Sequence, residues 1–133
     1  MSGYVLDTHT WVWDMKLDEQ LPRHVIEKMD SVEAIHVSAV SIYEIAQKVR
    51  LGKWPEMAAA ADILPDIASR QGYHCVDLSA RIAQRGGLLK WENRDPFDRM
   101  IAATAMELQL PLLSKDQAFD ALSTMLDWPG RIW

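Results

Sequence analysis

The sequence predicts a single α/β domain, a three-layer α/β/α sandwich around a mainly parallel sheet. Its 133 residues, of which 49% are hydrophobic, suit one compact domain with its own core. Short hydrophobic strands alternate with helical stretches along the chain, and no repeat or linker divides it. Such alternation favours right-handed crossovers and a sheet that helices cover on both faces. We therefore interpret residues 1–133 as one domain.

Four segments have the pattern of short strands. Gly3–Asp7 is hydrophobic and ends on an acid, and Ala34–Ser38 ends on a hydroxyl. His74–Leu78 and Leu110–Leu113 are the third and fourth candidates. At the carboxyl edge of a parallel sheet, the residues that follow these strands would lie together.

Helices are predicted between the strands. Gln20–Val32 has helical spacing, and from Ser41 apolar residues recur at i, i+3, i+4 and i+7 until Gly52. A further stretch, Glu56–Arg70, is Ala-rich and should be helical but kinked or divided at Pro65.

The last two helices precede the fourth strand. One is expected from about Ser79 to Gly86. The clearest helix opens at Asp95 and Pro96, where an acidic N-cap precedes a proline in the first turn. Ile101, Ala102 and the apolar residues after them give this helix one buried face.

Composition excludes several classes of protein. Cys75 is the single cysteine, so neither an internal disulfide nor a cysteine-based zinc site is available, which fits a reducing, cytoplasmic setting. The sequence has no long apolar run, so we expect a soluble protein with no membrane contact. The net charge of −5 argues against nucleic-acid binding through a broad basic surface, but not against a local site.

Four acids fall at the predicted carboxyl edge of the sheet. Asp7 ends the first strand, Glu44 lies in the first turns of the helix after the second, Asp98 lies in the first turn of the long helix, and Asp116 follows the fourth strand. Clustered carboxylates repel one another unless cations join them, and Mg²⁺ or Mn²⁺ prefers oxygen ligands. Two such ions would lower the pKa of a bound water and so hydrolyse a phosphodiester without a protein nucleophile.

Each acid also has a structural interpretation. Glu44 would close a capping box with Ser41, and Asp98 stands three residues after the Asp95 cap, where the helix dipole favours a negative charge. Asp98 nevertheless shares its helix face with Ile101, which turns it toward the interior. We therefore favour Asp98 over Asp95 as a functional acid.

Four segments carry a resemblance to a known family: YVLDTHTWVW around Asp7, SAVSIYEIAQKVRLGKW around Glu44, RDPFDRMIAATA around Asp98, and PLLSKDQAFD around Asp116. In order and spacing they resemble the PIN-domain nucleases, specifically the VapC-like toxins of bacterial toxin–antitoxin modules. The resemblance covers nearly the whole chain.

The resemblance implies a PIN-like fold and an endoribonuclease that depends on Mg²⁺ or Mn²⁺. It also implies an RNA substrate, inhibition by a cognate antitoxin, and a homodimer. By matching position, Asp7, Glu44, Asp98 and Asp116 would be the catalytic, metal-binding acids. Thr8 and Ser114 match positions that often carry a hydroxyl near the metal site, beyond its direct ligands.

Other functions stay open at this point. A PIN-like domain that binds RNA or protein without cutting should have lost one of the acids, and a receiver-type phosphoacceptor domain should have an adjacent acidic pair after its first strand. Histidine acid–base cleavage of RNA would need a second imidazole beside His9. Six tryptophans could stack on bases, but their scatter along the sequence favours core packing and interfaces.

Overall fold

The computed structural model describes residues 2–133 and has a five-stranded sheet flanked by helices. The strands are β1 Gly3–Leu6, β2 Ala34–Ser38, β3 His74–Val76, β4 Leu112–Leu113 and β5 Arg131–Ile132. The α-helices are α1 Thr8–Lys16, α2 Arg23–Asp30, α3 Ala39–Arg50, α4 Leu64–Arg70, α5 Ala80–Leu88 and α6 Pro96–Leu108. Two 3₁₀ helices span Pro55–Met57 and Gln117–Thr124.

The strand order is β3-β2-β1-β4-β5, and every neighbouring pair is parallel. This confirms the predicted α/β class and parallel sheet. The receiver alternative is wrong, because flavodoxin-like receiver domains have the order 2-1-3-4-5.

Alternate residues of the central strands enter two separate cores. Val5 and Leu112 pack with α6 residues, including Ile101, on one face of the sheet. Leu6 and Leu113 pack on the other face with residues of α1, α2 and α4. All four strand residues are fully buried. The period-two alternation of side chains thus produces the middle layer of a three-layer sandwich.

Three elements were not predicted from the sequence: α1, β5 and the 3₁₀ helix Gln117–Thr124. Helix α1 begins directly after β1 and buries Trp11 and Val12, residue types of only modest helix propensity. Tertiary packing therefore decides its conformation. Strand β5 has two residues, too few for an alternating pattern to be recognised.

Other boundaries differ from the prediction. The stretch from Glu56 is not one helix: the 3₁₀ helix is followed by turns, and α4 begins only at Leu64. Pro65 lies in the first turn of α4, where its missing N–H costs nothing, so it starts the helix instead of kinking it. Strands β3 and β4 are shorter than their predicted ranges.

The predicted capping box between Ser41 and Glu44 is not formed. Helix α3 begins earlier, at Ala39, and its N-cap is Ser38, whose side chain accepts a hydrogen bond from the Val40 amide. Ser41 is therefore a buried helix residue, and Glu44 lies in the second turn. Within residues 2–133, no helix combines the length and apolar character needed to cross a bilayer.

Candidate functional site

The chain changes direction in the sheet between β1 and β4. Strands β2 and β3 extend the sheet on one side of β1, and β4 returns to its other side. At such a point the following loops diverge and leave a crevice at the carboxyl ends of the strands. A pocket of about 480 Å³ opens there, and all four predicted acids, Asp7, Glu44, Asp98 and Asp116, line it.

Asp7 lies at the centre of this edge, between β1 and α1. Its side chain is only 7% exposed and accepts hydrogen bonds from the Thr8 amide (2.8 Å) and the Ser114 hydroxyl (2.7 Å). Burial raises the pKa of Asp7 above its ordinary value, and the two hydrogen bonds oppose that rise. Each carboxylate oxygen thus has a donor that fixes its direction.

The two predicted hydroxyl residues have different partners. Ser114 donates to Asp7 and accepts a hydrogen bond from the Asp116 amide at 3.0 Å, so it links two of the acids. The Thr8 hydroxyl shares a hydrogen bond of 2.8 Å with Ser41, so only its backbone N–H contacts Asp7. Ser114 therefore orients the site directly, whereas the Thr8 side chain ties α1 to α3.

Glu44 reaches the pocket from α3 and is 6% exposed. Its carboxylate accepts a hydrogen bond of 2.8 Å from Lys48, one helical turn later. The Lys48 ammonium also lies 4.4 Å from the centre of the Trp54 ring. In this arrangement the charge of Glu44 is compensated from within the protein.

Asp98 is the second acid of the pocket whose pKa is raised by burial. Burial raises its pKa to about 7, and the negative charges of Asp7, Asp95 and Asp116 add to the rise. The Asn93 side-chain amide opposes the shift by donating to the Asp98 carboxylate at 3.0 Å. This mutual influence shows that the acids share one electrostatic environment.

Asp95 caps α6, as predicted, by accepting a hydrogen bond of 2.9 Å from the Phe97 amide. It also lines the pocket, which the sequence argument had not assigned to it. Asp116 is exposed and caps the 3₁₀ helix that starts at Gln117, accepting a hydrogen bond from Ala118. The pocket therefore contains five carboxylates.

Arg99 holds the loop before α6 in place. Its guanidinium donates to the backbone carbonyls of Gly86, Leu89, Trp91 and Asn93. Gly86 allows α5 and α6 to approach closely, because a Cβ there would lie 3.2 Å from the Arg99 carbonyl oxygen. The position of Asn93, and through it that of Asp98, depends on this arrangement. The Arg99 donors are directed at the protein backbone and not at the pocket.

The donor set of the pocket fits Mg²⁺ or Mn²⁺ in its chemistry. Carboxylate oxygens are the ligands that these hard cations prefer. The pKa values of Asp7 and Asp98 are raised because burial disfavours their charged forms, and a bound cation would stabilise those charged forms. As the side chains stand in residues 2–133, no three Asp, Glu, His or Cys groups form a ready-made metal cage. Binding would require these side chains to converge further.

Five other residues line the pocket, and of these the sequence had indicated a position near the acids for His9 but not for Trp13 or Gln20. Apart from the acids, the lining consists of aromatic, basic and amide side chains: His9, Trp13, Gln20, Lys48 and Lys115. The one available signal was helical spacing, since His9 and Trp13 are four residues apart and share a face once α1 is known to be a helix. Asn93 had no periodic signal at all, because it lies in a loop.

These features define a class: a parallel α/β protein with an acidic pocket where its sheet changes direction. The model of the PIN domain family matches residues 4–124, so the chain belongs to the PIN domain family. Among curated proteins, none is significantly similar in sequence.

Solved structures share the fold across nearly the whole chain. The structure of VapBC2 from Rickettsia felis, bound to a DNA fragment from their promoter, superposes with a TM-score of 0.69 at 18% identity and covers 98% of each chain. DNA-bound VapBC from Salmonella typhimurium superposes with a TM-score of 0.67 at 22% identity, and the match covers 90% of this chain and 92% of the other. A third structure is VapBC-5 of Mycobacterium tuberculosis, described as a member of the VapBC family of toxin–antitoxin systems. It superposes with a TM-score of 0.60 at 22% identity, and the match covers 96% of this chain and 95% of the other.

Proposed function

We propose that this protein is an endoribonuclease that uses Mg²⁺ or Mn²⁺ to hydrolyse RNA phosphodiester bonds. The observation that carries the proposal is the convergence of Asp7, Glu44, Asp98 and Asp116, from four separate segments, on one pocket at the carboxyl edge of the sheet. Asp7 and Glu44 are buried and Asp98 is half-buried, and bringing such charges together destabilises a fold. Carboxylate clusters with perturbed pKa values are typical of catalytic sites.

In this proposal the four acids would hold the metal. When bound, a divalent ion supplies the charge that activates a water and stabilises the leaving oxygen of a phosphodiester. Ser114 and the Thr8 amide orient the Asp7 carboxylate, and Asn93 orients that of Asp98. The Lys48 ammonium donates a hydrogen bond to the Glu44 carboxylate and would yield part of that contact when metal binds. Lys115 lies beside the acids, where it can meet a phosphate.

We further propose that the protein is the toxin of a toxin–antitoxin pair, which would place it in the cytoplasm. The similar folds of VapBC complexes, together with membership of the PIN family, support this role. A cognate antitoxin would then block the pocket or insert a basic group among its acids. Expression of the chain alone should arrest bacterial growth, and co-expression with the antitoxin should relieve the arrest.

A homodimer is also part of the proposal. Six apolar residues form a groove between α3, α6 and the loop after β3: Ala39, Val40, Tyr43, Leu78, Phe97 and Met100. Tyr43 and Leu78 are 60% and 44% exposed in the single chain. A second copy could bury the same groove across a two-fold axis.

The direct test of the nuclease is RNA cleavage by the purified protein under two conditions. Manganese should support cleavage, and EDTA should abolish it reversibly. A PIN-like domain that only binds RNA or a protein partner is the alternative, and it would leave RNA intact in both conditions. The presence of all four acids in one pocket favours the nuclease over that alternative.

A further inference from the structure

Aromatic side chains that are scattered in sequence lie together beside the acidic pocket. The His9 ring centre lies 5.9 Å from that of Trp13 and 5.2 Å from that of Trp54, and Trp13 lies 6.0 Å from Trp133. Trp13, Trp54 and Trp133, three of the six tryptophans, pack against the core, as expected, and also lie near His9 or one another. We name His9, Trp13 and Trp54 the aromatic wall.

The aromatic wall borders the acids on one side of the pocket. His9 follows Asp7 by two residues, and both His9 and Trp13 line the pocket that contains the four acids. Trp54 is connected to the same site through Lys48, which contacts both the Trp54 ring and the Glu44 carboxylate. A substrate phosphate at the acids would therefore have its neighbouring nucleotide at this wall.

His9 is the exposed member of the wall, whereas Trp13 and Trp54 are half-buried and pack on the core. The Trp54 ring is nearly perpendicular to the imidazole, with an interplanar angle of 83°, and Trp13 is tilted by 53°. Packing on two sides thus fixes the His9 ring while leaving it open to the pocket. A ring held in this way suits stacking, because little conformational entropy remains to be lost on binding.

We propose that His9, supported by Trp13 and Trp54, stacks on an unpaired base of the RNA next to the bond that is cut. This inference rests on the proposed RNA substrate but not on catalysis itself. With a net charge of −5 the protein lacks a broad basic surface, so the base provides contacts that the phosphates cannot. Base–aromatic stacking does not depend on electrostatic attraction, and it is sequence-tolerant.

Substitution of His9 separates stacking from proton transfer. His9→Phe keeps an aromatic face but cannot titrate, and His9→Ala removes the ring. His24, exposed on α2, provides a matched control in His24→Ala. Binding of a single-stranded oligoribonucleotide would be measured by fluorescence anisotropy in calcium, which can occupy a carboxylate site. Cleavage would be measured separately in manganese.

We expect His9→Ala to weaken RNA binding by between about fivefold and a hundredfold, the range for loss of one base–aromatic stack. His9→Phe and His24→Ala should bind within about twofold of wild type. A series of oligonucleotides would each carry one abasic site at a different position. Wild type should bind one of them less well than the intact strand, whereas His9→Ala should bind that one as well as the intact strand. This loss of the difference in the variant would identify the base that stacks on His9.

Two results would overturn the inference: His9→Ala binding RNA as tightly as wild type, or His9→Phe binding as poorly as His9→Ala. The second would assign His9 a polar role instead. If the wild type binds RNA with this His9 dependence but cuts none in manganese, the proposed nuclease fails while the stacking site stands. If it cuts RNA and His9→Ala binds normally, the stacking site alone fails.

Discussion

The Ser114 hydroxyl donates a hydrogen bond of 2.7 Å to the Asp7 carboxylate, joining two residues that are 107 positions apart. The bond crosses the point where β1 and β4 lie side by side and the chain changes direction in the sheet. The Asp7 amide and the Thr10 hydroxyl both donate to the Leu113 carbonyl in the same region. The direction of the Asp7 carboxylate is therefore set by the pairing of these two strands.

Ser114→Ala should weaken metal binding without unfolding the protein. Loss of the hydroxyl removes a hydrogen bond that lowers the pKa of Asp7, so the carboxyl gains a proton more readily and is less well oriented. We expect manganese affinity to fall by about 10- to 100-fold, as for other residues that orient metal ligands. Isothermal titration calorimetry would measure it, with the exposed Ser123→Ala as control. Equal affinity in wild type and Ser114→Ala would contradict the orienting role.

Asp98→Asn should stabilise the metal-free protein, and more so as the pH rises. The folded-state pKa of Asp98 is raised from 3.8 to about 7, so between these values the folded state keeps a proton that the unfolded state has lost. The free energy of unfolding of wild type therefore falls through this window and stays low above pH 7. Asp98→Asn and wild type should have the same melting temperature at pH 4. At pH 8 the melting temperature of the variant should be higher, on the order of 5 °C.

Manganese should reverse that order. Metal bound only to the folded state contributes about 2.7 kcal/mol at a hundredfold excess over Kd, or a rise of roughly 5–10 °C for wild type. Asp98→Asn lacks one ligand and should respond less. Thermal melts with EDTA and with manganese would show both effects, with the exposed Asp66→Asn on α4 as control. Identical melting of all three proteins in every condition would mean that Asp98 belongs to no metal site.

Arg99→Gln should destabilise the protein strongly. The guanidinium satisfies several backbone carbonyls between Gly86 and Asn93, and the shorter side chain would leave most of them without this donor. We expect a loss of about 2–4 kcal/mol, which lowers the melting temperature on the order of 10 °C. Arg94→Gln, at an exposed position in the same loop, should change it by no more than about 2 °C. A small effect of Arg99→Gln would show that water replaces these bonds.

Leu78→Lys should convert the proposed homodimer into a monomer. It places a charge in the apolar groove that a second copy would cover, and burying an unpaired ammonium opposes association. Light scattering across a range of concentrations would give the mass. Leu126→Lys, at a fully exposed position outside the groove, is the matched control and should stay dimeric. A wild type that is monomeric at every concentration would contradict the proposal.

The sequence predicted the parts of this fold that have strong periodicity or end signals. The helix that starts at Asp95 and the alternation around Val5 and Leu6 are examples, and the fold class followed from them. Helix α1 escaped prediction because packing of Trp11 on the core overrides weak local preference. Likewise, local sequence placed Ser41 at a cap, whereas the fold buries it against Thr8.

The site divides in the same way. Acids at strand and helix ends could be located from sequence, because parallel strands bring those ends to one edge. Their partners divide further. Lys48 stands one helical turn after Glu44, a spacing that the sequence shows, whereas the contact of Asn93 with Asp98 depends on side-chain directions that only the folded chain determines. That the acids hold metal and cut RNA stays a prediction.

The most direct test compares RNA cleavage rates in manganese for wild type and for four single variants, Asp7→Asn, Glu44→Gln, Asp98→Asn and Asp116→Asn. Asp66→Asn serves as the control, and circular dichroism confirms that each protein is folded. The account predicts that Asp7→Asn and Asp98→Asn each reduce cleavage at least about a thousandfold, since each removes a charged metal ligand. Glu44→Gln and Asp116→Asn should also impair it, while Asp66→Asn cuts normally. Cleavage at the wild-type rate by folded Asp7→Asn and Asp98→Asn would contradict the central claim.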